Sequence, residues 1–207
     1  MELLLIRHAL PERVELESGA ADPMLSAEGH EQAKHLAAYL DHERLDAIYA
    51  SPLRRAVQTA QPLADARKQE LTLIADVAEW DRNSSTYVPV EVLKATNDPR
   101  WQAMLQGQWD DRDETAEEFN GRVTTALEAL IAAHSGHRIA VVCHGGVINA
   151  YLARVLGVPN GDPFFYPNYT SIHRIAAARS GERSIVTINE TSHLRRTGLP
   201  MGLFQEG

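Results

Sequence analysis

The chain has 207 residues, 44% of them hydrophobic and 23% charged, which is enough to bury a full core and ordinary for a globular protein. A formal net charge of -8 argues against a general nucleic-acid or membrane-surface binder, so any bound anion must be held by a local cluster of positive groups. Cys143 is the only cysteine, which excludes an internal disulfide and suits a reducing cytoplasmic setting; the apolar runs are too short for a bilayer span, and the first lacks the basic flank of a signal peptide.

In chain order, Leu3 to Ile6 reads as a short buried strand that runs into Arg7 and His8 and is closed off by Pro11. Residues 9 to 24, with Pro11, Gly19 and Pro23, read as a loop. A helix capped by Ser26 is expected to run to about Leu40, carrying Ala33, Leu36, Ala37 and Leu40 on one stripe. Residues 46 to 50 form a second strand. Ser51-Pro52 then reads as a capping hydroxyl and a first-turn proline opening a helix with Leu53, Ala56, Val57 and Ala60 on one face.

The run 71 to 77 reads as a third extended segment. Residues 80 to 114 are irregular, hold all three tryptophans and the acidic run "DDRDE", and read as an excursion from the main fold. Thr115-x-x-Glu118 resembles a capping box, and Phe119, Val123, Leu127, Leu130 and Ile131 sustain helical spacing to about residue 134. Residues 138 to 143 are the clearest buried strand. They end in His144-Gly145-Gly146 and a helix closed by Gly157 and Pro159. Two further strands flank a turn at residues 179 to 182, and the last dozen residues read as a tail. Strands alternating with helices predict an α/β sheet covered on both faces. The chain reads as a single domain, 1 to 207, with a variable insertion at about 80 to 114.

Two buried strands ending in histidine put His8 and His144 where ligands gather in open α/β sheets, at the carboxyl edge. Gly145 and Gly146 would let the backbone approach a ligand, and the helix behind them offers free N–H groups to an anion. A third strand ends at Ser51, bringing Arg54 and Arg55 to the same edge. Imidazoles and guanidiniums at one edge suit phosphoryl transfer without a metal or cofactor, because the transferred group needs positioning and charge neutralisation. An uncoordinated imidazole is a competent nucleophile near neutral pH. A proton donor for the leaving group is then needed, and Glu79, beside Trp80, is placed for it, with burial raising its pKa. The remaining histidines match no zinc spacing.

The blocks "LLLIRHA", "LSAEGHEQAKHLAAYL", "AIYASPLRRAVQTAQPLA", "LTLIADVAEWD", "DETAEEFNGRV" and "IAVVCHGGVINAYLARVLG", taken in order, resemble the histidine phosphatase superfamily, also called phosphoglycerate mutase-like (branch 1), over nearly the whole chain. The resemblance implies a three-layer α/β/α sandwich with a mostly parallel central sheet. It implies His8 as the phosphorylated nucleophile, Arg7 and His144 as phosphate-pocket residues and Glu79 as proton donor; His144 is thus both a catalytic and a phosphate-binding candidate, and Gly145 joins the phosphate-binding set from its place behind the strand end. It also selects Arg55 over Arg54, a choice that helical spacing leaves open. The chain departs from the family pattern in three places: Ala9 stands where glycine is usual, Val14 stands near a usual phosphate-holding asparagine, and the Gly-x-x-Glu-Gly continuation after Asp81 is missing.

The expected activity is a metal-independent phosphomonoesterase acting on a small phosphorylated metabolite through a phosphohistidine on His8, with no nucleic-acid or membrane partner. Two alternatives stand: a phosphoglycerate-mutase-type phosphotransferase, and a weakly catalytic phosphate-ligand-binding protein on the same fold. Whether the chain forms a homo-oligomer is left open.

Overall fold

The computed structural model describes residues 1–106, 114–158 and 164–203. Its centre is a six-stranded sheet of β1 (Glu2–Arg7), β3 (Ala47–Ala50), β4 (Leu71–Leu73), β6 (Arg138–Cys143), β7 (Ile172–Ala177) and β8 (Arg183–Glu190) in the order β4-β3-β6-β1-β7-β8. The pairs β4-β3, β3-β6 and β6-β1 are parallel, whereas β7 runs antiparallel to both neighbours.

Unbroken apolar runs in β1 and β6 follow from burial on both faces, which removes any pressure to alternate polar and apolar residues. Leu3 and Leu5 of β1 pack with Ile139, Val141 and Cys143 against α5 (Ala116–Ala133) and α6 (Gly145–Leu156). Leu4 and Ile6 face the other way, with Ala140 and Val142, against α1 (Ala27–Leu40) and α2 (Arg54–Arg67). The helices after β1 and β3 therefore cover one face, and the helix after β6 covers the other. That divergence opens a crevice at the carboxyl edge between adjacent strands, the place such sheets bind ligands. Residue-for-residue pairing from Glu2↔Arg138 to Arg7↔Cys143 sets His8 beside His144.

Helix α1 matches its expected stripe, with Ala33, Leu36, Ala37 and Leu40 buried and Ser26 accepting from the Gly29 N–H. The Thr115–Glu118 capping box opens α5. Gly157, at φ +70°, takes the left-handed conformation that ends α6. The expected helix start at Ser51-Pro52 is corrected: α2 begins at Arg54, with Leu53 as an N-cap that makes no side-chain bond. The third extended segment is strand only to Leu73 and continues as a 3-10 turn, Ala75–Val77. The expected tail is partly packed, since Met201 is buried and its carbonyl accepts from the Tyr169 N–H at 2.8 Å. Pro159, Trp109 and Asp110 to Asp113 lie outside the described residues.

The excursion holds a 3-10 turn (Trp80–Asn83), β5 (Thr86–Tyr87), α3 (Val90–Ala95) and α4 (Pro99–Leu105). It is tied to the loop after His8, because β5 pairs antiparallel with β2 (Val14–Glu15) and the Ala21 N–H donates to the Ser84 carbonyl at 2.7 Å. Two segments that read separately in the sequence form one ribbon over the carboxyl edge. No helix among the described residues is long and apolar enough to cross a membrane.

Candidate active site

Arg7 and His8 close β1, and His144 follows β6 as the N-cap residue of α6. Their imidazole centroids stand 5.2 Å apart. Arg55 enters from the first turn of α2. The four side chains are almost wholly enclosed, with relative exposures of 6% (Arg7), 3% (His8), 0% (Arg55) and 0% (His144). Arg54, by contrast, is exposed, so of the two arginines it is Arg55 that lies buried in this cluster.

Nδ1 of His8 lies 2.8 Å from the Ala9 carbonyl oxygen. A carbonyl only accepts, so Nδ1 carries the proton and Nε2 keeps its lone pair. Burial, then the charges of Arg55 and Arg7, hold the pKa of His8 well below the usual histidine value. The ring is therefore a neutral base with a free nitrogen between two guanidiniums. Burial and Arg55 also depress His144. Its Nε2 is 2.7 Å from Ser51 Oγ, while its Nδ1 is buried and unpartnered. Ser51 Oγ also accepts from the Leu53 N–H at 3.3 Å. The hydroxyl thus joins the site to the chain that leads into α2.

Each arginine keeps donors in reserve. Arg7 Nη1 donates to the Pro167 carbonyl at 2.6 Å and Nη2 to Tyr166 Oη at 3.1 Å, while its Nε has no partner. Arg55 Nη2 donates to Asp81 Oδ1 at 2.6 Å, and its Nε and Nη1 have none. Tyrosine rings cover both: Tyr87 lies 4.7 Å from the Arg55 guanidinium carbon, and Tyr169 and Tyr166 lie 4.2 and 4.7 Å from that of Arg7.

Glu79 reaches the same edge from the segment after β4. Its Oε2 accepts the Gly146 N–H at 2.7 Å and its Oε1 the Trp80 N–H at 3.1 Å. Desolvation, helped by Asp81, lifts the carboxyl pKa to about 7 against the downward pull of those two amides. Trp80 is fixed by stacking on Phe119, with centroids 3.8 Å apart. The glycines divide their expected task. At Gly146 a Cβ would stand 2.7 Å from Trp80 Cδ1, so the missing side chain makes room for Glu79 and Trp80. At Gly145 a Cβ would meet Arg7 Nε at an ordinary 4.0 Å.

The departures in sequence have local explanations. Ala9 has no positive φ, its methyl packs with Leu25 and Ala33, and its N–H donates to Thr59 Oγ1 at 2.9 Å. Val14 sits in β2 opposite Tyr87, the residue that covers Arg55. Asp81, Ser51 and the three tyrosines escape sequence reasoning. Only Asp81, two residues after Glu79, carries a signal that could have flagged it.

Fold and pocket together define an anion site built around a neutral imidazole, the class that handles phosphoryl groups. The chain belongs to the histidine phosphatase superfamily (branch 1), whose profile matches residues 3–191. It is 30% identical over 200 residues to phosphoserine phosphatase 1 of Hydrogenobacter thermophilus, covering 94% of each chain. It is 30% identical over 166 residues to the adenosylcobalamin/alpha-ribazole phosphatase of Escherichia coli, covering 77% of this chain and 81% of that one. A solved phosphoserine phosphatase from Entamoeba histolytica shares the fold at a TM-score of 0.72 and 23% identity, over 93% of this chain and 98% of that one.

Proposed function

We propose that this chain is a phosphomonoesterase that hydrolyses a small phosphorylated metabolite through a phosphohistidine on His8, with no metal in the chemistry. The observation that carries the reading is the convergence of unpartnered buried nitrogens, Arg7 Nε, Arg55 Nε and Nη1, and His144 Nδ1, on a histidine whose Nε2 is free. Buried cationic donors without acceptors call for an anion, and a phosphoryl group supplies oxygens for all of them. Names of relatives that are phosphatases for phosphoserine and alpha-ribazole phosphate support a small substrate.

In the first step the His8 Nε2 lone pair attacks phosphorus, the bond from phosphorus to the ester oxygen breaks, and protonated Glu79 gives its proton to the departing oxygen. In the second, Glu79 as carboxylate takes a proton from water, the water oxygen attacks phosphorus, and the bond from phosphorus to Nε2 breaks. Arg7 and Arg55 neutralise the equatorial oxygens throughout. Glu79, with a pKa near 7, can serve in both directions.

The test is hydrolysis of p-nitrophenyl phosphate in EDTA by the native chain and by His8→Ala. Turnover that vanishes in the variant supports the reading; turnover kept by the variant, or lost on chelation, overturns it. Release of free phosphate rather than its return to a second substrate hydroxyl separates hydrolysis from the mutase alternative.

A further inference from the structure

Beyond the phosphate pocket lies a carboxylate for which the reaction above has no use. Tyr169 Oη donates to Glu91 Oε1 at 2.8 Å. The Tyr169 ring stands 6.1 Å from the His8 ring and 4.2 Å from the Arg7 guanidinium carbon, centroid distances in the first case. One phenol therefore separates Glu91 from the nucleophile. The second carboxylate oxygen, Oε2, is buried and has no hydrogen-bond partner among the described residues.

A buried acceptor left unmade costs about 1–3 kcal/mol, and more when it is charged, so this oxygen calls for a donor. Arg55 directs its paired donor to Asp81 and Arg7 its paired donors to the Pro167 carbonyl and Tyr166, and the donors that both keep free are the ones the phosphoryl group would take. The rings of Tyr166 and Tyr169 lie against the Arg7 guanidinium and that of Tyr87 against Arg55, so positive charge is already favoured beside them. On the organic side of the phosphate, then, the surface suits a cation and repels a second anion.

Resting on the phosphomonoesterase reading, we propose that Glu91 reads the organic half of the substrate, and that the substrate class is a phosphate monoester bearing a protonated amine within a few bonds of phosphorus. The amine donates to Oε2 while the phosphoryl group sits between Arg7 and Arg55. Tyr169, whose ring stands 6.1 Å from that of His8, carries the hydroxyl that holds Glu91 Oε1, so the phosphate and amine sites share one wall. A carboxylate-bearing ester of the phosphoglycerate kind places like charge against Glu91 and binds more weakly.

Equilibrium binding to His8→Ala, which avoids turnover, tests this with inorganic phosphate, ethyl phosphate, 2-hydroxyethyl phosphate and 2-aminoethyl phosphate at neutral pH. The last three share a carbon chain and differ in the terminal group. The aminoethyl ester is expected to bind about tenfold or more tighter than either of the other esters, or about 1.4 kcal/mol. Adding Glu91→Gln should bring that ratio close to one. Equal affinity for the three esters in His8→Ala overturns the proposal while leaving the phosphatase reading intact, whether or not the double variant folds. Equal affinity of the hydroxyethyl and aminoethyl esters overturns the claim for a cation. Failure to bind even inorganic phosphate removes the phosphate pocket, and this inference falls with it.

Discussion

Glu79 Oε2 accepts the backbone N–H of Gly146 at 2.7 Å, so the carboxyl proposed as the proton donor is docked on the first turn of the helix that follows His144. The bond exists because position 146 has no side chain; a Cβ there would press on both Glu79 and Trp80. Gly146→Ala is therefore expected to push Glu79 out of place. It should lower kcat about tenfold or more while costing roughly 1–3 kcal/mol of stability, the usual range for overpacking. Steady-state kinetics with thermal unfolding on the same sample checks both.

The pH profile should be lopsided. His8 is depressed well below the usual histidine value by burial, Arg55 and Arg7, so its lone pair stays available through mildly acidic pH and gives no limb near 6.5. Glu79, raised to about 7, loses its proton as pH rises through 7, and with it the donor role proposed for it. Activity on an alkyl phosphate should hold below neutrality and fall above it. Glu79→Gln should remove that limb and cost about 10²–10⁴ in kcat, but much less on p-nitrophenyl phosphate, whose phenolate leaves without help. The sign for stability follows the same raised pKa. The contribution of Glu79 is fully present below the ordinary carboxylate value and is lost as pH climbs through 7, so denaturant midpoints of Glu79→Gln should depend less on pH across that window.

Ser51 should matter more than a helix-opening serine would. With its Oγ 2.7 Å from His144 Nε2, a donated hydroxyl proton leaves Nδ1–H to face the phosphoryl oxygens. Ser51→Ala is expected to weaken inhibition by phosphate or vanadate several-fold and to reduce kcat, with unfolding almost unchanged. A loss of stability with unchanged phosphate affinity would assign the hydroxyl to the fold.

Behind Glu79 stands a clamp. Arg122 Nη1 donates to the carbonyls of Asp76 and Ala78 at 2.8 and 3.0 Å, and its Nε donates to Glu114 Oε2 at 3.0 Å. Glu114 also pairs with Arg82. The backbone leading into Glu79 is thus held from α5. Arg122→Ala should reduce kcat more than it raises KM and should shift the alkaline limb, whereas damage confined to stability would leave the limb in place.

The sheet and the histidine pair were legible because parallel strands buried on both faces must be continuous apolar runs, and both runs ended in a residue that does not belong in a core. The covering of the site was not legible. Tyr87, Tyr166 and Tyr169 lie in segments without periodicity; Tyr87 covers Arg55 from β5, which pairs with β2 across more than seventy residues, and Tyr166 and Tyr169 meet Arg7 from the segment before β7. Ser51 is a related case: Ser-Pro is a local helix signal, whereas its hydroxyl also reaches His144, 93 residues away. Arg55 could not be told from Arg54 by spacing, since adjacent residues in a first turn differ only in what lies beside them. For Arg55 that is Asp81 and Tyr87; Arg54 faces solvent. Met201 looked like tail because nothing in the last dozen residues announces the Tyr169 backbone it pairs with.

A covalent phosphohistidine on His8 is tested most directly by mixing the native chain with a phosphorylated substrate, quenching in alkali during turnover and locating the phosphoryl group by peptide mass spectrometry. One phosphoryl group is expected on the peptide carrying His8, stable to alkali, lost in acid, and absent from His8→Ala. Full turnover with no label on that peptide, or the same label persisting in His8→Ala, would contradict it.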